Sequence, residues 1–246
     1  MSMIILKGKN LEKSYTNGVL KTKVLKGVNI EIKEGEFVSI MGKSGSGKST
    51  LLNILSSLDM PDNGEIYFEG REITHLGEEE AAKLRRESFG FVFQLPKMVR
   101  NLSILDNILL PSINYKKNKN DLMDKAKQLM KKIGIEHIED NRISQVSGGQ
   151  LQRAGICRAL INNPKILFAD EPTGALDSKT GQEVLELFSI FHAEGKSILM
   201  VTHDVQVASK ADRVLFMKDG LLVGEIKLGD NCKEGVIQIQ EMLNAI

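Results

Sequence analysis

The sequence predicts an α/β fold, a mostly parallel sheet with helices on both faces, and three observations carry that expectation. Short apolar runs of strand length, Ser88–Phe93, Ile166–Ala169 and Ile198–Val201, alternate with stretches of helical periodicity at Ser49–Leu58, Gly149–Ile161 and Lys179–Phe191. The runs are apolar at nearly every position, as strands covered on both faces require. With 246 residues and a hydrophobic fraction of 41%, the chain can bury a sizeable core. No internal repeat is visible and no linker is long enough to separate independent domains.

In chain order, Ile4–Leu11 and Val24–Ile32 alternate like half-buried strands around a turn at Asn17-Gly18. Phe37–Met41 is a short apolar strand that runs straight into a glycine-rich segment. The helix expected at Ser49–Leu58 places Leu51, Leu52, Ile54 and Leu55 on its apolar side. Pro61-Asp62-Asn63-Gly64 reads as a turn before a strand at Glu65–Phe68. From about Leu95 to Ser147 strand-like runs disappear. Asp121–Ile133 there is helical, flanked by the lysine-rich run Lys116–Lys119, so the stretch reads as a helical insert in a sheet-based core. Glu234–Ile246 is expected to be a short amphipathic helix that packs rather than acts.

Lys and Arg number 33 against 32 Asp and Glu, so the basic footprint of a nucleic-acid binder is absent. An anionic ligand must be held by a local arrangement. Cys157 and Cys232 are far apart and without metal-type spacing, which suits ordinary thiols in a reducing compartment. Met1–Lys13 mixes charge and apolar residues too closely for a secretory segment, and no stretch approaches the ~18 apolar residues of a membrane span. The expectation is a cytoplasmic protein that reaches a membrane only through a partner.

Two motifs carry chemistry. Gly42-Lys43-Ser44-Gly45-Ser46-Gly47-Lys48-Ser49 fits G-x-x-x-x-G-K-[ST], with a strand before it and a helix after it. Its glycines let successive backbone N–H groups turn inward on phosphate oxygens, and the helix adds its positive end. Lys48 is placed for the β- and γ-phosphates and the Ser49 hydroxyl, with Thr50 beside it, for Mg²⁺. The second motif is the apolar run Ile166–Ala169 ending in Asp170 and Glu171. Carboxylates at the C-terminal edge of a parallel sheet lie where ligands bind. Asp170 is placed to hold Mg²⁺ and Glu171 to take a proton from an attacking water, a role typically worth ~10²–10⁴ in rate. Alone, that pair also suits a solvated turn.

Many phosphate-loop enzymes share those two motifs. Ser147-Gly148-Gly149-Gln150, followed by Leu151-Gln152-Arg153, supplies a second phosphate cradle at a helix start. This segment resembles the signature of the ATP-binding cassette (ABC) ATPases, in which two chains pair head to tail and each signature closes on the other's phosphate loop. The resemblance covers essentially the whole chain. It implies a P-loop NTPase (RecA-like) core with an N-terminal antiparallel β subdomain over residues 1–94 and 148–246, and an inserted α-helical subdomain over 95–147. It also implies nucleotide contacts from Tyr15 and Val24 on the adenine side, and from Ser147, Gly148, Gly149, Gln150 and Asp177. Tyr15 would stack on the base. Gln94 would touch Mg²⁺ and the attacking water, Asp177 would end the loop Gly174-Ala175-Leu176-Asp177 that crosses to the partner, and His203 would lie near the γ-phosphate. His75, His137 and His192 match no motif and read as surface residues.

The implied protein is an ATPase using ATP and Mg²⁺, paired with a second copy of itself and an integral-membrane permease, without nucleic acid. Leu110-Pro111 and Pro172-Thr173-Gly174 are similar to the MacB/FtsE/LolD group, whose permeases work by mechanical transmission, and Ala175 with the lysine-rich composition leans toward bacitracin-type peptide resistance. Lipoprotein release and cell-division signalling stay open. A DNA-repair ABC protein would need a long coiled coil, a ribosomal one two cassettes, and a P-loop kinase would leave Ser147–Gln150 unexplained. The sequence departs from the family pattern at Val146 in place of leucine, Gly174 in place of serine, and Leu95-Pro96-Lys97-Met98 in place of an aromatic-rich run.

Overall fold

The structure is a computed structural model and describes residues 3–18, 20–113, 119–229 and 232–245. Of the expected lysine run only Lys119 falls inside those residues; 116–118 lie outside, as does Ile246. The elements in order are β1 (Ile4–Asn17), β2 (Leu20–Lys33), β3 (Phe37–Met41), α1 (Lys48–Leu55), β4 (Asn63–Phe68), β5 (Arg71–Glu72), α2 (Glu78–Ser88), β6 (Phe89–Phe93), α3 (Ile104–Leu109), α4 (Lys119–Ile133), α5 (Gly148–Leu160), β7 (Ile166–Asp170), α6 (Ser178–Ala193), β8 (Ser197–Val201), α7 (Val205–Ala208), β9 (Arg213–Lys218), β10 (Leu221–Lys227) and α8 (Cys232–Ala245). The chain divides into two compact units, residues 1–82 with 192–246, and residues 83–191.

The first unit holds an antiparallel sheet, β2-β1-β4-β5, and a run of neighbouring strands β10-β9-β3-β8. β1 and β2 form a hairpin from Ile4↔Lys33 to Asn17↔Leu20, longer than the alternation predicts because the pairing continues through polar residues near the turn. Leu11, Leu25, Val28 and Ile32 are its buried face. β3 is buried at every position and pairs in parallel with β8 and β9. The β9–β10 hairpin turns at Asp219 and Gly220, both with positive φ (48° and 84°), the backbone that a tight two-residue turn demands. α8 packs Ile239, fully buried, into one cluster with Met41, Ala208, Val214 and Phe216, flanked by Met242 and Leu243. The expected packing helix is therefore present, and it sits under the strand that feeds the phosphate loop.

In the second unit β6 and β7 pair in parallel, Phe89↔Ile166 through Phe93↔Asp170. Gly90 is required by close approach: a Cβ there would meet the Ala159 carbonyl at 2.7 Å. α5 packs on β6, with α3 and α4 against α5. α4 buries Leu122, Ala126, Met130 and Ile133, a spacing of about one helical turn. Asn107 of α3 is fully buried and ties down the preceding loop, accepting from Val99 N at 2.7 Å and donating to Val99 O at 3.1 Å and Ser103 O at 2.9 Å.

Candidate functional site

The phosphate loop belongs to the first unit. β3 ends at Met41 and the chain bends at Gly42, where a Cβ would lie 2.1 Å from the Met217 carbonyl. Gly45 and Gly47 follow with φ of 79° and 104°, the left-handed backbone that glycine adopts freely. α1 then starts at Lys48, as the motif requires, but ends at Leu55, three residues before the expected Leu58. The buried Lys48 turns back into the loop and donates to Gly42 O at 2.9 Å and Lys43 O at 3.0 Å. Ser44, Gly45 and Ser49 are exposed, whereas Ser46 and Gly47 are buried. The β9–β10 turn braces the loop from below through Gly220 N to Ser46 O at 3.0 Å. Val24 is half-buried, and its carbonyl would lie 3.0 Å from a Cβ at Gly47, so β2 closes on the same loop.

Tyr15, on β1, is 43% exposed, yet its hydroxyl donates to Asp59 Oδ2 at 2.7 Å. Thr50, in the first turn of α1, shares a hydrogen bond with that hydroxyl. Burial, then the Asp59 carboxylate, push the Tyr15 hydroxyl above the ordinary phenol range. Burial also acts to raise Asp59, but hydrogen bonds from Lys13, Tyr15 and Met60 outweigh it and hold the carboxyl below its usual range. His203 is exposed two residues beyond β8. Its neighbours are fixed: Thr202 N donates to Ile40 O at 3.2 Å, and Asp204 caps α7 by accepting from Gln206 N at 2.7 Å.

The second unit carries the other predicted residues. The Phe93↔Asp170 pairing brings Gln94 and Glu171 to one edge of the β6–β7 pair. Asp170 and Glu171 are half-buried, and Glu171 has φ of 48°, a left-handed conformation that costs a non-glycine residue energy. Gly174 leaves room for Gln94: a Cβ there would sit 2.8 Å from the Gln94 amide nitrogen. Asp177 faces α6, accepting from Thr180 N at 3.0 Å and Thr180 Oγ1 at 2.7 Å. Those bonds hold its carboxyl below the usual range.

Ser147 begins α5 with a reciprocal cap, accepting from Gln150 N at 3.2 Å while its own N–H donates to Gln150 Oε1 at 2.9 Å. Ser147 and Gly148 are exposed at that helix start. Gly149 is buried, and a Cβ would meet Thr180 Cγ2 at 2.2 Å, so α5 and α6 touch where only glycine fits. One histidine differs from the surface expectation. His137 is exposed as expected, its Nε2 3.3 Å from Gln150 Nε2, whereas His192 is half-buried, with Nε2 3.0 Å from both Gly35 O and Asp212 Oδ2 and its ring edge-on to Phe37.

Sequence reasoning missed Gln152 and Asp59. Gln152 is 1% exposed and its amide donates to Phe93 O at 2.9 Å and Pro172 O at 2.8 Å, so it joins the residues beside Gln94 and Glu171. It stands two positions after Gln150 on the buried face of α5, and a glutamine there was the only signal.

The profile of the ABC transporter family matches residues 25–174. This chain belongs to the ABC transporter family. It is 46% identical to the bacitracin export ATP-binding protein BceA of Halalkalibacterium halodurans, over 94% of this chain and 92% of that one. It is 48% identical to the macrolide export ATP-binding/permease protein MacB of Chlorobium luteolum, over 88% of this chain and 32% of that one. The chain spans about a third of the length of the MacB relatives it matches. Its fold is similar to the dimeric post-hydrolysis state of the ATP-binding cassette MJ0796 bound to ADP and Pi, with a TM-score of 0.86 and 42% identity over 92% of this chain and 100% of that one. The ABC cassette therefore has the mixed α/β P-loop NTPase fold expected of it. Among its described residues no helix is long and apolar enough to cross a membrane.

Proposed function

We propose that this ABC cassette binds and hydrolyses ATP as a head-to-tail dimer with a second copy and drives an integral-membrane permease from the cytoplasmic face. The observation that carries this is Lys48, buried and folded onto the Gly42 and Lys43 carbonyls at the mouth of α1. A lysine held there is organised to meet phosphate oxygens together with the N–H groups of the loop. The capped and exposed start of α5 at Ser147 supplies a second cradle, which supports pairing, since one ATP needs one phosphate loop.

In this reading Ser49, Gln94 and Asp170 offer oxygen donors, the ligand chemistry that suits Mg²⁺, an ion held with substrate phosphates rather than in an all-protein cage. When bound, the ion would neutralise charge on the phosphates. Glu171 takes the proton of the attacking water as its oxygen bonds to the γ-phosphorus and the bond to ADP breaks. Gln94 orients that water. Lys48 and His203, with the N–H groups of Gly148 and Gly149 of the second copy, stabilise the charge on the transferred group. Gly42, Lys43, Ser44, Gly45, Ser46, Gly47 and Thr50 line the phosphate end, Tyr15 and Val24 the base end, and Ser147, Gln150 and Asp177 act from the partner.

The permease would dock on the helical stretch after Gln94, where Leu95 and Ile113 are 69% and 67% exposed. The match to BceA, nearly full-length on both sides, favours a peptide-antibiotic export or resistance complex. The test is Glu171→Gln with Mg-ATP on gel filtration, followed by a pull-down from solubilised membranes. A dimer bringing down a permease is the expected result. Monomer alone overturns the paired arrangement, and a soluble or ribosomal partner overturns the transport role.

A further inference from the structure

The base end of the first unit contains a clamp that no motif describes. Asp59 follows α1 by four residues and accepts from Tyr15 Oη at 2.7 Å, Lys13 Nζ at 2.7 Å and Met60 N at 2.7 Å. Lys13 also donates to Met60 O at 2.5 Å, and its ammonium lies 5.3 Å from the centre of the Tyr15 ring. Asp62 completes the clamp, its side chain accepting from Ser14 N at 2.7 Å and its N–H donating to Glu12 O at 2.8 Å. The segment Glu12–Tyr15 is therefore tied to the chain that leaves α1, while the opposite end of α1 begins at the phosphate loop.

The polar end of Tyr15 is used inside the protein, and the residue as a whole remains 43% exposed. A ring in that state offers a π-face for stacking on a base and is already ordered before the base arrives. Ordering a free side chain on binding is costly, so a pre-set ring binds more tightly than a mobile one.

We propose that Asp59, itself held by Lys13, is the positioning residue for the base end of the nucleotide site, fixing the Tyr15 ring at a set place relative to the phosphate loop. This rests on the reading of the chain as an ATP-binding subunit with Tyr15 at the base.

The experiment measures displacement of a fluorescent ATP analogue by Mg-ATP and, separately, by inorganic tripolyphosphate, which has the phosphates and no base. Asp59→Ala is expected to weaken ATP by about three- to tenfold and leave tripolyphosphate unchanged. Tyr15→Phe keeps the ring and removes the hydroxyl, so it should match Asp59→Ala, and the double variant should be no weaker than Tyr15→Phe. If Asp59→Ala is too unstable to purify, Tyr15→Phe reads out the same hydrogen bond. Equal weakening of ATP and tripolyphosphate makes the clamp merely structural and overturns the proposal. Normal ATP binding by Asp59→Ala and Tyr15→Phe also overturns it, while a loss in Tyr15→Ala would leave the base contact standing. Normal ATP binding by Tyr15→Ala overturns the base contact itself, and the proposal with it.

Discussion

Gln152 and Pro172 are joined by a 2.8 Å hydrogen bond from side-chain amide to backbone carbonyl, and the same amide nitrogen reaches Phe93 O at 2.9 Å. One buried nitrogen thus holds the residue before Gln94 and the residue after Glu171. Gln152→Leu keeps the volume and removes both donors. It is expected to lower stability by about 1–3 kcal/mol, seen as a drop in melting temperature. Phosphate release should slow while affinity for labelled ATP stays at the wild-type level. An unchanged turnover number would show that Gln152 serves packing alone.

Lys48→Ala should abolish or strongly weaken nucleotide binding, since the loop loses the buried ammonium that lies against the Gly42 and Lys43 carbonyls. Equilibrium binding of a labelled ATP analogue checks this, and unchanged affinity would refute the phosphate-loop assignment.

Gly149→Ala sets a methyl group against Thr180 Cγ2, at 2.2 Å without relaxation. Overpacking of this kind costs about 1–3 kcal/mol. Thr180→Ser removes that methyl and keeps the hydroxyl bonded to Asp177, so the double variant should recover most of the loss. Thermal denaturation of the four proteins decides it; a double variant no better than Gly149→Ala would place the strain elsewhere.

Burial pushes the Cys157 thiol far above its ordinary range, so the reactive thiolate is not formed at neutral or mildly alkaline pH. The folded protein treated with iodoacetamide at pH 8 should carry no label on the Cys157 peptide, and the denatured protein should carry it. Labelling of the native chain would mean that α5 opens locally.

The phosphate loop, β7 with Asp170 at its end and Glu171 just beyond, and the α5 cap were legible because each is a contiguous run whose local chemistry fixes its backbone. The β9–β10 hairpin was legible in principle, since Asp219-Gly220 between two apolar runs is a tight-turn signal. α2 is harder. It buries only Ala81, so it has no apolar stripe, although Glu78, Glu79 and Glu80 at its start and Arg85 and Arg86 at its end match a helix dipole. The Tyr15–Asp59 and Gln152–Pro172 contacts join residues 44 and 20 positions apart. Neither spacing carries a period, so only the fold reveals them.

The burial of Ile239 against Met41 has a consequence for how the protein is made. Chain emerges from the ribosome in order, and early segments fold first when their contacts are at hand. Here the strand that delivers the phosphate loop is without the backing of Ile239 until nearly two hundred further residues have been translated. A nascent chain halted before α8 should therefore hold an incompletely packed phosphate loop, and the loop reaches its full packing only once α8 has been made.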